Sequence, residues 1–333
     1  MNFRMFLTAA ALVACALPSA ARAGSLSTEV LGMFPQSAGE FAYADLRQAR
    51  SLGWFPRLQE QILPERFRQF ELFVASAGVD ANSQVEELAW ALFPARLPAG
   101  ATQNIAVATS EEIVGIALGP FRPESAEAYF QAQKLAVVIV RGYSLYAFGG
   151  DSGAGGLYLC FLDSNTIAFG QRNQLEKLIA VRYGDEQNLL SNSELAPLIS
   201  QANGSSWVWA VLSAPYARLA LQQLAPQAAE FAQAQQVISK LRELTIEINP
   251  GSGLQAHFEA LCASPDDANT FAALLQAGLL YQRYQAANSN PDLASMLDQA
   301  KVAPSGDRLD VTLALTDDQM MGLIERNTFA THL

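Results

Sequence analysis

LAVVIVRGYSLYAFGGDSGAGGLYLCFLDSNTIAFGQ, residues 135–171, is the stretch whose reading decides the fold. Between Ala136 and Gly170 it reads as three short apolar strands, parted by a glycine-rich loop and by the Asp163-Ser164-Asn165 turn. A charged, helix-like segment lies on each side. Short strands joined by tight turns pair antiparallel, and helices on the flanks make the class α+β, with antiparallel sheets and packed helices.

Toward the N-terminus, Phe41 to Ala44 suits a strand, and Leu46 to Gly78 turns helical with interruptions at Pro56 and Pro64. Trp54, Leu58 and Ile62 fall at helical spacing, as do Phe67, Phe70 and Phe73. Gly78 to Ser83 is a capped loop. Asp80 and Asn82 resemble the start of a calcium loop, but the glycine and the terminal glutamate that such a loop needs are absent. Val85–Phe93, Asn104–Thr109 and Ile113–Leu118 read as strands, the last two as a hairpin. Pro123 to Lys134 reads as a helix with acids in its first turn.

Toward the C-terminus, helices are expected over Gln171–Tyr183 and Leu189–Gln201. From Ser205 the layout restarts: a strand at Trp207–Leu212, helices at Pro215–Leu224 and Gln227–Leu241, and a hairpin of Leu244–Ile248 with Leu254–Ala260 that has one wet face. A helix opens at Ser264-Pro265, Leu309–Leu315 is a last strand, and Asp317–Arg326 closes the chain. The Pro-acid-polar-Ala helix starts at Pro123 and Pro265 divide the chain into two α+β halves, 24–200 and 201–333. An old duplication accounts for this, and so does the ordinary chemistry of a helix start.

Residues 1–23 are laid out as a signal peptide: Arg4, an apolar run from Met5 to Leu17, and Ala21-Arg22-Ala23 before Gly24, with cleavage between Ala23 and Gly24. Leu12-Val13-Ala14-Cys15 offers an alternative, a lipobox that would lipidate Cys15 and leave an N-terminal lipid anchor. Half of the residues are hydrophobic and 16% are charged, which excludes a disordered chain. Loss of residues 1–23 removes Arg4 and Arg22 and no acid, so the formal charge goes from −11 to −13. With no Lys/Arg-rich run, nucleic acid is not an expected partner. After the signal peptide the longest window without formal charge, Leu195–Ala217, is broken by Pro197 and Pro215, so no further transmembrane span is expected.

Motifs that carry chemistry are scarce. Gly150-Asp151-Ser152-Gly153 matches the surroundings of a serine-protease nucleophile, but His257 and His332 both follow it and position 154 is Ala. A loop explains the match. Glu86-Glu87, Glu111-Glu112, Asp266-Asp267 and Asp317-Asp318 sit at turns and helix starts, where solvated acids are ordinary. His257 and Glu259 share a strand face without a third metal ligand. No phosphate loop, dinucleotide fingerprint or zinc motif occurs, so no cofactor, metal site or catalytic residue is assigned. After export Cys160 and Cys262 remain, either as one disulfide or as two buried thiols.

Phe34-Pro35 followed by Phe41 to Leu46, the Pro-Glu-x-Ala unit at Pro123–Ala126, and the strand–Asp-turn–strand–helix unit from Leu157 to Ile179 carry a resemblance. On these segments the chain resembles a group of uncharacterised exported bacterial envelope proteins of unknown function. The resemblance implies export and no known catalytic residues. The expected role is therefore an exported, non-enzymatic envelope protein, periplasmic, secreted or lipid-anchored, that acts on an envelope partner through its surface. Two alternatives remain. One is a periplasmic carrier of a lipid or other apolar small molecule, lined by Trp54, Phe67, Phe70, Tyr143, Tyr146, Phe148, Trp207 and Trp209. The other is a hydrolase whose carboxylates are not paired in sequence.

Overall fold

The structure, a computed structural model, describes residues 24–62, 65–94, 111–148, 153, 156–224, 232–250 and 253–328. Its strands are β1 (Glu40–Asp45), β2 (Glu87–Pro94), β3 (Glu111–Leu118), β4 (Val137–Val140), β5 (Tyr143–Phe148), β6 (Leu157–Asp163), β7 (Thr166–Gln171), β8 (Val208–Ser213), β9 (Leu241–Pro250), β10 (Gly253–Cys262), β11 (Lys301–Ser305) and β12 (Arg308–Thr316). The strand pairings within each unit are antiparallel, and helices pack on them, so the chain is an α+β protein. It divides into two compact units that interleave along the sequence: one from Leu26–Arg47 and Pro64–Pro197, the other from Gln48–Leu63 and Leu198–Leu333.

The first unit holds strands in the order β1-β2-β3-β7-β6-β5-β4. Tyr146, Phe148, Leu159, Phe161, Ile167 and Phe169 form one apolar sheet face, packed against the Pro123–Ala132 and Glu65–Ser76 helices. Phe130 is fully buried between Phe73, stacked at 5.1 Å between ring centroids, and Tyr146, tilted at 4.9 Å. Leu175, Leu178 and Ile179 of the Arg172–Arg182 helix are buried, and this helix packs on β3, β6 and β7. Asn192 fixes the entry of the Leu195–Ala202 helix: its Oδ1 accepts from Glu194 N and Leu195 N, while its Nδ2 donates to Gln36 O and Ala38 O.

Gly115 and Gly170 are needed for close approach. A Cβ on Gly115 would fall on the Phe169 ring. Gly170 has φ +144°, and a Cβ there would meet the Ile113 carbonyl.

The second unit holds strands in the order β11-β12-β10-β9-β8. Buried Leu244, Ile246 and Ile248 alternate with Thr245, Glu247 and Asn249, as the wet-faced hairpin predicted. Helices Ala214–Leu224, Pro265–Ala286 and Asp317–Glu325 pack on these strands. Trp54, on the turn before the Phe55–Ile62 helix, donates its indole N–H to Asp317 Oδ1 at 2.9 Å, and Gln61 donates to the Ile324 carbonyl.

The structure departs from the sequence expectations at particular places. The deciding stretch holds four strands, not three, because Arg141 and Gly142 both have positive φ (50° and 88°) and form a two-residue turn between β4 and β5. Leu189–Gln201 is not one helix: Leu189–Ser191 is a 3₁₀ turn, and the α-helix starts after Asn192, at Leu195. Leu241 opens β9 rather than ending a helix. The Pro291–Gln299 helix and β11 had no sequence expectation. Residues 1–23, with Cys15 and Ala23, lie outside the described residues, as do Asn104–Thr109 and the 149–152 part of the glycine-rich loop.

Candidate functional site

Three places gather side chains that chemistry or binding could use. The first is the polar face of β9, β10 and β12. The register sets Glu247 opposite His257, and Asp310 one diagonal step away on β12. His257 Nε2 lies 2.8 Å from Asp310 Oδ1, and Nδ1 lies 3.6 Å from Glu247 Oε2. Burial works against the imidazolium, but hydrogen bonds to Asp310 and Glu247 outweigh it, so the His257 pKa is raised. Ser205 donates to Glu247 Oε1 at 2.7 Å, not to His257, so the array is not a serine–histidine relay. Glu259, the neighbour paired with His257 in sequence, forms an ion pair with Arg308 instead. Among the described residues no group of three or more His, Cys, Asp or Glu is placed to hold a metal ion.

The second place is the end of β1. Tyr43 is fully buried and donates to Glu87 Oε2 at 3.1 Å; Arg47 donates to Glu87 Oε1 at 2.7 Å and to both oxygens of buried Asp45 at 3.3 Å. Burial, with the charges of Glu87 and Asp45, pushes the Tyr43 phenol far up. Burial also holds the Glu87 carboxyl above its ordinary value, with Arg47 and Tyr43 offsetting part of the rise. Tyr43, Asp45 and Glu87 are each held by a neighbour, with the half-exposed Arg47 bridging the two carboxylates, which is the arrangement of a structural clamp.

The third place is the Pro265–Ala286 helix, 22 residues long. Ser264 caps it, accepting from Asp267 N; Pro265 stands at its start; Asp266 and Asp267 sit in its first turn, where the dipole favours them. Ala268, Phe271, Ala272 and Ala286 are buried, and the helix packs on β10, β11 and β12 and on the Pro291–Gln299 helix. The opposite side is also apolar. Leu280, Tyr281 and Tyr284 are 62%, 56% and 79% exposed, with Leu274 at 37%. With exposed Ala273 and Ala277 they fall within an arc of about 120° at the helical step of 100° per residue. Asn269, Gln276 and Arg283 line one flank, so the helix is apolar on two opposite sides, of which one is buried and the other is not.

The residues singled out from sequence are distributed as follows. Cys160 and Cys262 are free, buried thiols and form no bridge; burial pushes them up to about 12 and about 11 respectively, so they pack as small inert hydrophobes. Gly24 is buried. Of the aromatics named as a ligand lining, Tyr146 and Phe148 belong to the packed core of the first unit, and Trp54, Trp207 and Trp209 are buried in the second. Tyr143 is half-buried, and the side chains of Phe67 and Phe70 lie outside the described residues. The exposed helix face had no sequence expectation, since apolar residues at helical spacing read as a buried stripe; the Tyr281/Tyr284 pair at its end was the available signal.

No protein-family model matches the chain, and no curated protein matches its sequence. A solved structure, of crystal form I of TP0453, superposes on 93% of this chain and 99% of its own with a TM-score of 0.46 and 10% sequence identity. No helix among the described residues is long and apolar enough to cross a membrane.

Proposed function

We propose that the protein is an exported, non-enzymatic component of the bacterial cell envelope that works by contact, with the outer face of the Pro265–Ala286 helix as its contact surface. One observation supports this above the others: Leu280, Tyr281 and Tyr284 stand exposed on one side of a helix whose other side is buried. Contiguous exposed apolar side chains of this kind mark interaction sites. Tyrosine adds a large contact area with few rotors to freeze and is enriched in interface cores. The interspersed Ala273, Ala277 and Gly278 leave grooves into which the ridges of a partner helix fit. The signal-peptide layout of residues 1–23 supports a contact made outside the cytoplasm.

The test is a double variant, Leu280→Glu with Tyr284→Glu. Protein from gently solubilised native host cells, run on size exclusion, is expected in an assembly larger than the monomer when wild type and as the monomer when doubly substituted. Both forms should melt together, since neither side chain is buried. Co-elution of the two forms would remove the helix face from the account.

A further inference from the structure

We infer that β4 is a second docking site, which accepts one short extended segment of another protein, apolar in its middle and acidic at its flanks, as an added strand. This goes beyond the helix-face reading and uses a different unit of the fold. β4 stands at the end of the strand order in its unit and, among the described residues, pairs with β5 alone. Its sequence is Val-Val-Ile-Val, apolar on both faces, which is the pattern of a strand covered on both sides by neighbours. Yet Val137 and Ile139 are 47% and 63% exposed.

β11, a terminal strand of the second unit, is treated differently. It carries Lys301 and Pro304, both exposed, the residues that blunt an edge against pairing. β4 carries neither.

The backbone direction follows from the ladder. Ala147 N donates to the Ala136 carbonyl at 2.9 Å, so Ala136 pairs toward β5. By antiparallel alternation, Val138 and Val140 do so as well, and the N–H and C=O groups of Val137 and Ile139 point outward. A four-residue edge gives room for one short strand rather than an extended stack.

Charge selects the occupant. From Lys134 to Phe148 the chain has two cations, Lys134 and Arg141, and no acid. Arg182 lies close enough to Tyr143 to act on its phenol. Asp185 and the Tyr183 ring hold Arg141 in place at the β4 turn. A second copy pairing by a two-fold axis would set Lys134 of one strand near Arg141 of the other, and like charges across strands are unfavourable. A strand flanked by Asp or Glu meets Lys134 at one end and, at the other, Arg141, whose charge Asp185 offsets in part.

Two synthetic peptides test this, EDVTVTVTDE and KRVTVTVTRK, with fluorescence anisotropy for affinity and amide exchange for location. The acidic-flanked peptide is expected to bind the intact protein saturably and about ten-fold tighter than the basic-flanked one at low salt. It should slow exchange at the Val137 and Ile139 amides. Ile139→Pro removes one outward donor and no bond to β5, so it should weaken binding by about ten-fold while circular dichroism and melting stay those of wild type. Should the proline perturb the fold, Ile139→Lys reads the same surface through its side chain. No saturable binding, equal binding of the two peptides, binding that survives both variants, or a dimer that Ile139→Pro dissociates would each overturn the inference.

Discussion

Asp45 is buried, and its carboxylate accepts from Arg47 through both oxygens. Removing the guanidinium leaves that carboxylate, and Glu87 beside it, without their cation. Arg47→Leu is therefore expected to cost about 1–3 kcal/mol in chemical denaturation, the lower part of the range reflecting the solvent reached by Arg47 itself. His257 gives a pH-dependent prediction. Its folded pKa is raised, so its contribution to stability is fully present below the unfolded imidazole value of about 6.5 and is lost as pH rises through the folded value. The melting-temperature gap between wild type and His257→Gln should be wider at about pH 6 than at about pH 8.5. An equal gap at both would mean that the imidazole is neutral between Glu247 and Asp310. Spacing in sequence set His257 and Glu259 on one strand face without a further ligand. The register across β9, β10 and β12 supplied the actual partners, and register is not written in local spacing.

Among the elements, the core and the helix face respond oppositely. Phe130→Ala removes a fully buried ring from the Phe73 and Tyr146 stack and should cost about 3–5 kcal/mol. Gly278 lies in the middle of the Pro265–Ala286 helix with open space where a Cβ would stand; Gly278→Ala should stabilise by about 0.5–1 kcal/mol. Elements with strong local signals were legible: the alternating β9–β10 hairpin, the Ser264-Pro265 helix start, and the helix after β7. Those set by special backbone or by context were not. Arg141-Gly142 hides a hairpin turn because arginine seldom takes positive φ, and β11 hides a strand because Pro304 reads as a break.

At the scale of the molecule, the sequence carried the α+β class, because it follows from period and punctuation, but not a site. The helix face and the β4 edge are defined by what fails to cover them, and coverage is a property of the packed chain. Apolar aromatics that could have lined a cavity, Tyr146, Phe148 and Trp209 among them, are spent in packing. Export, and action by contact rather than by carrying cargo, are the central proposals, and the mass of the protein taken from its native host tests them most directly. Measured first under non-denaturing and then under denaturing conditions, the mass should correspond to a chain that begins at Gly24 and carries no small-molecule adduct. A chain that begins at Met1, or an apolar ligand lost on denaturation, would contradict them.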